Sequence, residues 1–148
     1  MSSPRKVVVI GAGPAGYVCA IRLAQLGQSV TVVEKEFLGG TCLNVGCIPS
    51  KAMLSTSEKY AEASGHLADI GVEVGSVKLN LPKMLANKDK VVEDLTKGIG
   101  FLFKKNKVDW ISGAATVKSA SEILVIPAEG DAITLKSEGA DRASSLQG

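Results

Sequence analysis

Aromatic residues make up only 4% of this 148-residue chain, and its one histidine is His66. A core with so few rings must be built from Val, Ile, Leu and Ala. That suits a parallel sheet covered by helices on both faces. Cysteine is scarce too: Cys19, Cys42 and Cys47 are the whole set. An odd, low count excludes the disulfide scaffold of a small secreted domain. Two cysteines and one histidine at these spacings fit no zinc pattern, so no metal site is expected. No apolar run reaches the length of a membrane span. The stretch Val7 to Ile10 follows only two basic residues and leads into glycines, unlike a signal-peptide core. The formal net charge is +2. There is no basic stripe interleaved with aromatics, so neither nucleic acid nor membrane is an expected partner. The length suits one domain, 1–148, kept in a reducing compartment or present as a processed form.

What is there begins with Val7-Val8-Val9-Ile10, a β-branched run that reads as a buried strand. It ends at Gly11-Ala12-Gly13-Pro14-Ala15-Gly16. An apolar helical pattern comes next, through Ala15, Val18, Cys19, Ile21, Leu23 and Leu26, and Gly27 stops it. The run Ser29 to Val33 is a second strand, ending in Glu34. This is a strand–turn–helix–strand unit in about thirty residues. Gly11 allows the tight turn, Gly13 lets backbone approach a pyrophosphate, and Gly16 lets helix and strand pack closely. The helix N-terminus offers N–H groups to phosphates. Glu34 can accept hydrogen bonds from a ribose diol. A lone G-x-G-x-x-G is a weak signal, but the strand, helix and terminal acid around it make this a dinucleotide site.

Downstream, Ser50 to Ser64 reads as a helix ended by Gly65, with Ala52, Met53, Leu54, Tyr60 and Ala61 as candidate buried positions. Ile70 to Val74 reads as a short extended piece. Pro82 opens a long amphipathic helix with Met84, Leu85, Val91, Val92, Leu95, Ile99, Leu102 and Phe103 on its apolar side. Gly98 and Gly100 weaken it or admit another backbone. Val108 to Ser112 and Ala114 to Val117 read as strands either side of Gly113. Ile123–Ile126 and Ala132–Lys136 pair as a hairpin. No element is assigned to 137–148. The fold class is therefore α/β: a Rossmann-like parallel sheet followed by an antiparallel β-meander.

Between the dinucleotide unit and the second helix lies Gly39-Gly40-Thr41-Cys42-Leu43-Asn44-Val45-Gly46-Cys47-Ile48-Pro49-Ser50-Lys51. Two cysteines at this spacing can form a disulfide if the chain between them curves back, and Gly46 helps that bend. Cys47, near a helix start, has its thiolate favoured by the helix dipole. Cys42 is freer to exchange with an outside disulfide or dithiol. In isolation, two buried structural thiols would serve equally well. Directly after a dinucleotide unit, a redox-active pair is the better reading. Lys51, one turn beyond Cys47, is either a solvated helix lysine or a cation near the thiolate. Cys19, among apolar neighbours on the first helix, reads as a small core residue.

Stretch 39–51 resembles the redox motif of the flavoprotein disulfide oxidoreductases, the class I pyridine nucleotide-disulfide oxidoreductase family, and matches their dihydrolipoamide dehydrogenase branch at every position. Glutathione and mercuric reductases resemble it too, but typically carry Val at the places of Leu43 and Ile48. The likeness spans residues 5–125 and includes Leu79 to Lys107. It implies FAD as the bound dinucleotide and NAD as co-substrate. The family's FAD contacts fall on Gly11, Gly13, Pro14, Ala15, Gly16, Glu34, Lys35, Gly40, Thr41, Cys42, Gly46, Cys47 and Lys51. A further contact falls near Ala115, where relatives often have Gly. Cys42 and Cys47 correspond to the catalytic pair. By resemblance, dihydrolipoamide reduces the Cys42–Cys47 disulfide, with Cys42 exchanging with substrate and Cys47 facing the flavin. Electrons then pass by way of FAD to NAD⁺. The implied partners are the lipoyl domain of a 2-oxoacid dehydrogenase acyltransferase and, in the full-length family, a second subunit. The implied compartment is bacterial cytoplasm or the mitochondrial matrix.

The chain is far shorter than the family's, so it resembles an N-terminal fragment without the NAD-binding and dimerisation domains. His66 does not stand in the setting of the His–Glu pair that the dimerisation domain supplies. No strand ending in the family's Ala-Thr-Gly turn is evident between Ala128 and Gly148. An isolated piece of this kind is expected to be inactive. The alternatives are a non-catalytic FAD-binding fragment or a glutathione- or mercuric-reductase-like enzyme.

Overall fold

A computed structural model of the chain describes residues 4–142. The elements run β1 (Lys6–Ile10), α1 (Pro14–Gln25), β2 (Ser29–Glu34), α2 (Gly40–Asn44), α3 (Cys47–Ala61), α4 (Leu81–Asn106), β3 (Asp109–Val117), β4 (Glu122–Pro127), β5 (Ile133–Lys136) and β6 (Gly139–Arg142). They build a six-stranded sheet in the order β5-β4-β3-β2-β1-β6. The pairs β6–β1, β1–β2 and β2–β3 are parallel, while β3–β4 and β4–β5 are antiparallel. The parallel sheet and antiparallel meander expected from the sequence are both present.

The two faces of the sheet are covered differently. Val9, Val30 and Val32 pack with Ala20 of α1, Leu38 and Leu43 of the following loop and α2, and Ile99 and Phe103 of α4. Val8 and Val33, pointing the other way, pack with Ile123 and Val125 of β4. Each such valine, removed from water, stabilises the fold by about 1.5–3 kcal/mol. Helices on both faces, expected from composition, are therefore corrected: helices cover one face and the meander the other. The cause lies in β3. It pairs with β2 only as far as Glu34↔Ser112, then continues as the partner of β4 from Gly113↔Pro127. At that switch, a Cβ on Gly113 would stand 2.6 Å from the Ile126 carbonyl oxygen. The sequence suggests two strands divided at Gly113, whereas the structure runs one strand straight through it.

Asn80 caps α4, its side chain accepting from the Lys83 N–H at 3.0 Å. The helix has 26 residues and so is about 39 Å long. A five-residue strand such as β1 spans about 17 Å. The sheet can therefore bury only part of the apolar stripe. Met84, Ile99 and Phe103 are buried, Val91 and Val92 are half-buried, and Leu85, Leu95 and Leu102 stay exposed. Neither glycine admits another backbone: a Cβ on Gly100 would meet only the Leu38 side chain, at 3.7 Å, and Gly98 faces open space.

Three further expectations are corrected. On α1 the buried residues are Gly16 and Ala20, with Val18 and Leu26 outside, because close helix–sheet packing selects small residues on the inner face. Helix α3 runs from Cys47 and continues as a π-helical turn, Glu62–His66. It has no fully buried residue: Ala52 and Met53 are half-buried, and Leu54, Tyr60 and Ala61 are exposed, since α3 packs on α2 and α4 rather than on the sheet. Ile70 to Val74 is not a strand. A 3₁₀ turn, Ala68–Ile70, closes on Gly71 at φ 84°, and residues 72–80 carry no regular element.

The composition of 137–148 predicts irregular chain, yet Val7–Ile10 pairs in parallel with Gly139–Arg142. The Glu138 N–H donates to the Lys6 carbonyl at 2.9 Å and starts that pairing. A strand of such composition is held by the open edge of β1 and not by its own propensity. It stands where the sequence shows no resuming strand. Residues 143–148 lie outside the described residues.

Candidate nucleotide and dithiol site

The chain leaves β1 through Gly11, at φ 102°, whose N–H donates to the Val33 carbonyl at 2.8 Å. Gly13 is the N-cap of α1. It brings no side chain to the cap, Pro14 stands in the first helical turn, and no acid lies there. The helix N–H groups at this end are thus left without a side-chain acceptor, an arrangement that favours an anion. Ala15 is exposed, and Gly16 is buried within the helix.

Glu34 is buried at the end of β2. Its Oε2 accepts from the Ala12 N–H at 2.7 Å and its Oε1 from the Glu36 N–H at 3.0 Å. The carboxylate therefore ties the second strand to the glycine turn. A carboxylate offers about four lone-pair sites, so capacity for a diol remains. Lys35 is exposed and reaches Glu36 at 3.5 Å, a surface pair of small energetic weight.

The dithiol loop rests directly on this turn. The Gly39 N–H donates to the Ala12 carbonyl at 2.9 Å. Gly39 and Gly40 have φ of 94° and 61°, and a Cβ on Gly40 would stand 2.7 Å from Gly13 Cα. Helix α2 then carries the exposed Thr41 and the half-buried Cys42. Asn44 closes it, its Nδ2 donating to the carbonyls of Leu38 at 3.1 Å and Gly40 at 2.9 Å. Gly46 caps α3, with room for a Cβ limited by the Thr41 carbonyl at 3.0 Å and Cys42 Cα at 3.4 Å. That close approach sets Cys47, the exposed first residue of α3, against Cys42.

Both cysteines are free thiols. Interaction with the Cys47 side chain is the main cause that raises the Cys42 pKa above the ordinary thiol value, with burial and the nearness of Cys47's charge adding to it. The Cys47 backbone N–H and, more weakly, the Lys51 cation pull it the other way. Lys51, exposed on α3, is thus within electrostatic reach of the pair.

The sequence-expected residues from Gly11 to Gly16, Glu34 and 40–47 come together. Ala115 stands apart, three places beyond the register partner of Glu34 and packed half-buried against the Val8–Val33 face. Cys19 is half-buried on α1. Sequence reasoning misses two residues. Ala12 is the hub of the site, fully buried, giving its N–H to Glu34 and its carbonyl to Gly39. Its only signal is being a small residue between two glycines. Asn44 reads in the sequence as a mere spacer between the cysteines. Among the described residues no cluster of three or more His, Cys, Asp or Glu could hold a metal ion, and no helix is long and apolar enough to cross a membrane.

Comparison with known proteins bears on this geometry. The pattern of the pyridine nucleotide-disulphide oxidoreductase family matches residues 5–137. The chain is 52% identical over 136 residues to dihydrolipoyl dehydrogenase 2, mitochondrial, of Arabidopsis thaliana, covering 91% of this chain and 27% of that protein. It is 47% identical over 146 residues to dihydrolipoyl dehydrogenase of Cupriavidus necator, covering 92% of this chain and 31% of that one. Leghemoglobin reductase of Glycine max is 52% identical over 136 residues, 91% of this chain and 26% of its own length. The chain thus spans between a quarter and a third of these relatives. Among solved structures, a Cu(II) complex of the HOCl-induced flavoprotein disulfide reductase RclA from Escherichia coli superposes with a TM-score of 0.71 at 23% identity, covering 92% of this chain and 27% of that one. At that identity the likeness is one of fold.

Proposed function

The chain belongs to the pyridine nucleotide-disulphide oxidoreductase family, and from that premise we propose that it is the FAD-binding, dithiol-bearing part of a dihydrolipoyl dehydrogenase. The observation that carries this is the junction of the two loops. A turn suited to a pyrophosphate meets, backbone to backbone, the segment that carries the two thiols.

The residues present fit the flavin nucleotide. Gly11 and Gly13 leave space for a pyrophosphate, the bare N-terminus of α1 favours its charge, and Glu34 has lone pairs left for the ribose. Pro14, Ala15 and Gly16 continue that cradle, with Lys35, Gly40, Thr41, Gly46 and Lys51 around it. Ala115 is a further contact only through its backbone. FAD, when bound, supplies two-electron transfer between the dithiol and NAD⁺.

The sulfur exchange of the substrate step runs through this chain's two cysteines, and the protons of the two substrate thiols pass to the reduced pair and solvent. A dihydrolipoamide thiolate attacks one sulfur of the oxidised pair and expels the other, and the second substrate thiol then closes lipoamide and leaves Cys42 and Cys47 reduced. We take Cys42 as the sulfur attacked and Cys47 as the one expelled. Cys47, as the first residue of α3, also sits where backbone N–H groups favour negative charge. Exposure argues for a second reading, in which Cys47 meets the substrate, because Cys47 is exposed and Cys42 half-buried.

In the whole protein we propose NAD⁺ as acceptor, a lipoyl domain of a 2-oxoacid dehydrogenase acyltransferase as substrate carrier, and a homodimer. Bacterial cytoplasm or mitochondrial matrix is the proposed compartment, in line with the names of the relatives. The test is a half-reaction. The oxidised chain should consume one equivalent of dihydrolipoamide and gain two free thiols, and Cys42→Ser or Cys47→Ser should abolish the gain. A disulfide that dihydrolipoamide leaves intact overturns the reading. Trapping with a thiol-reactive lipoamide analogue in each single-serine variant decides between Cys42 and Cys47.

A further inference from the structure

The five-residue helix α2 is too short to be stable by itself, yet it must hold Cys42 at a fixed distance from Cys47. Where it joins the loops, Gly40 N–H donates to the Phe37 carbonyl at 2.8 Å and Val45 N–H to that of Thr41 at 3.0 Å, and Leu43 is buried in the core. A further tie is a polar side chain. Asn44 lies between the two cysteines and spends its amide on the carbonyls of Leu38 and Gly40, the two residues flanking the left-handed Gly39. Gly46 then packs against Thr41 and Cys42, so that the bracketed segment delivers Cys47 to its partner.

We propose that Asn44 is a positioning residue that sets the reduction potential of the Cys42–Cys47 pair. The inference rests on the redox reading of that pair and deepens it. Disulfide formation inside one chain depends on the effective concentration of one thiol at the other, and a rigid arrangement raises that concentration. With the bracket in place, the residue before Cys47 is packed on Cys42: a Cβ on Gly46 would stand 3.4 Å from Cys42 Cα. Without it, α2 frays, the sulfurs meet less often, and the dithiol form is favoured. The exchange that reads this balances as dithiol plus oxidised glutathione giving protein disulfide plus two reduced glutathiones. The protein loses two electrons and two protons, and the glutathione disulfide gains them.

The full 148-residue chain is equilibrated in glutathione buffers, quenched, alkylated, and its Cys42–Cys47 disulfide content read by mass. Asn44→Ala is expected to weaken disulfide formation about tenfold, which is about 30 mV towards more positive potential. Asn106→Ala is the control. Asn106 also donates its amide to a backbone carbonyl, that of Leu102 at 2.8 Å, but on α4. Its loss should lower thermal stability and leave the midpoint where it was. If Asn44→Ala does not fold, Asn44→Ser, which keeps one donor, should show a smaller shift of the same sign. An Asn44 variant that folds and titrates with the parent's midpoint overturns the inference, as does an equal shift in Asn106→Ala. A parent chain that forms no 42–47 disulfide at any glutathione ratio overturns the redox reading itself.

Discussion

A Cβ on Gly40 would lie 2.7 Å from the Cα of Gly13. The two glycines come from loops 27 positions apart in sequence, yet no side chain separates them. This contact makes the nucleotide turn and the dithiol loop one object, so that disturbing either is felt by the other.

Gly40→Ala should therefore cost both stability and cofactor. Its backbone, at φ 61°, costs about 1–2 kcal/mol for any residue with a Cβ, and the overlap with Gly13 adds to that. Gly27→Ala is the control: φ is 83°, with nothing within 4 Å of the new Cβ. Calorimetry should show the larger fall in Tm for Gly40→Ala. FAD titration should show at least a tenfold affinity loss there and none for Gly27→Ala.

Glu34 accepts from two backbone N–H groups while buried. Glu34→Gln turns an amide N–H₂ toward one of these donors, which should destabilise the chain by about 1–3 kcal/mol. Glu34→Arg should weaken FAD binding further. Chemical denaturation and flavin fluorescence measure the two effects. Unchanged FAD affinity in both variants would remove Glu34 from the ribose site.

The raised Cys42 pKa has a sign that can be tested. Its main cause is the interaction with Cys47, so Cys47→Ala should move the alkylation profile of Cys42 to lower pH. Lys51 acts in the opposite sense, so Lys51→Met should move it to higher pH and Lys51→Arg should not. Because the folded value lies above the unfolded one, the contact's stabilisation is complete below the ordinary thiol pKa and is lost as pH rises through the raised one. Rates of iodoacetamide labelling, read peptide by peptide, give the profiles.

Two glycines should respond oppositely to alanine. At Gly113 the new Cβ meets the Ile126 oxygen at 2.6 Å and Pro127 Cα at 2.8 Å, so Gly113→Ala should destabilise by about 1–3 kcal/mol as the meander is forced off β3. At Gly98, inside α4, nothing is near, and Gly98→Ala should stabilise by about 0.5–1 kcal/mol. Urea midpoints of both variants against the parent provide the measurement.

The features readable from sequence are those written locally. Two β-branched runs around Gly11 to Gly16 dictate strand, turn and helix. Pro82 and the apolar period after it announce α4. The apolar runs on either side of Pro127 to Asp131 announce a hairpin. The dithiol stretch carries its chemistry in its own order of residues, so Cys42 and Cys47 are legible as candidate site residues, as is Glu34 at the end of its strand. What tertiary structure alone decided depends on partners distant in sequence. The Gly113 switch sends the meander to the face opposite the helices, which no periodicity records because both faces require the same valines. Gly139–Arg142 is a strand only because β1 offers a free edge. Ile70, apolar but without such an edge, stays outside at 76% exposure. Ala12 joins Glu34 to Gly39 solely through its backbone, and backbone hydrogen-bonding groups are the same at almost every residue, so sequence does not mark where they meet.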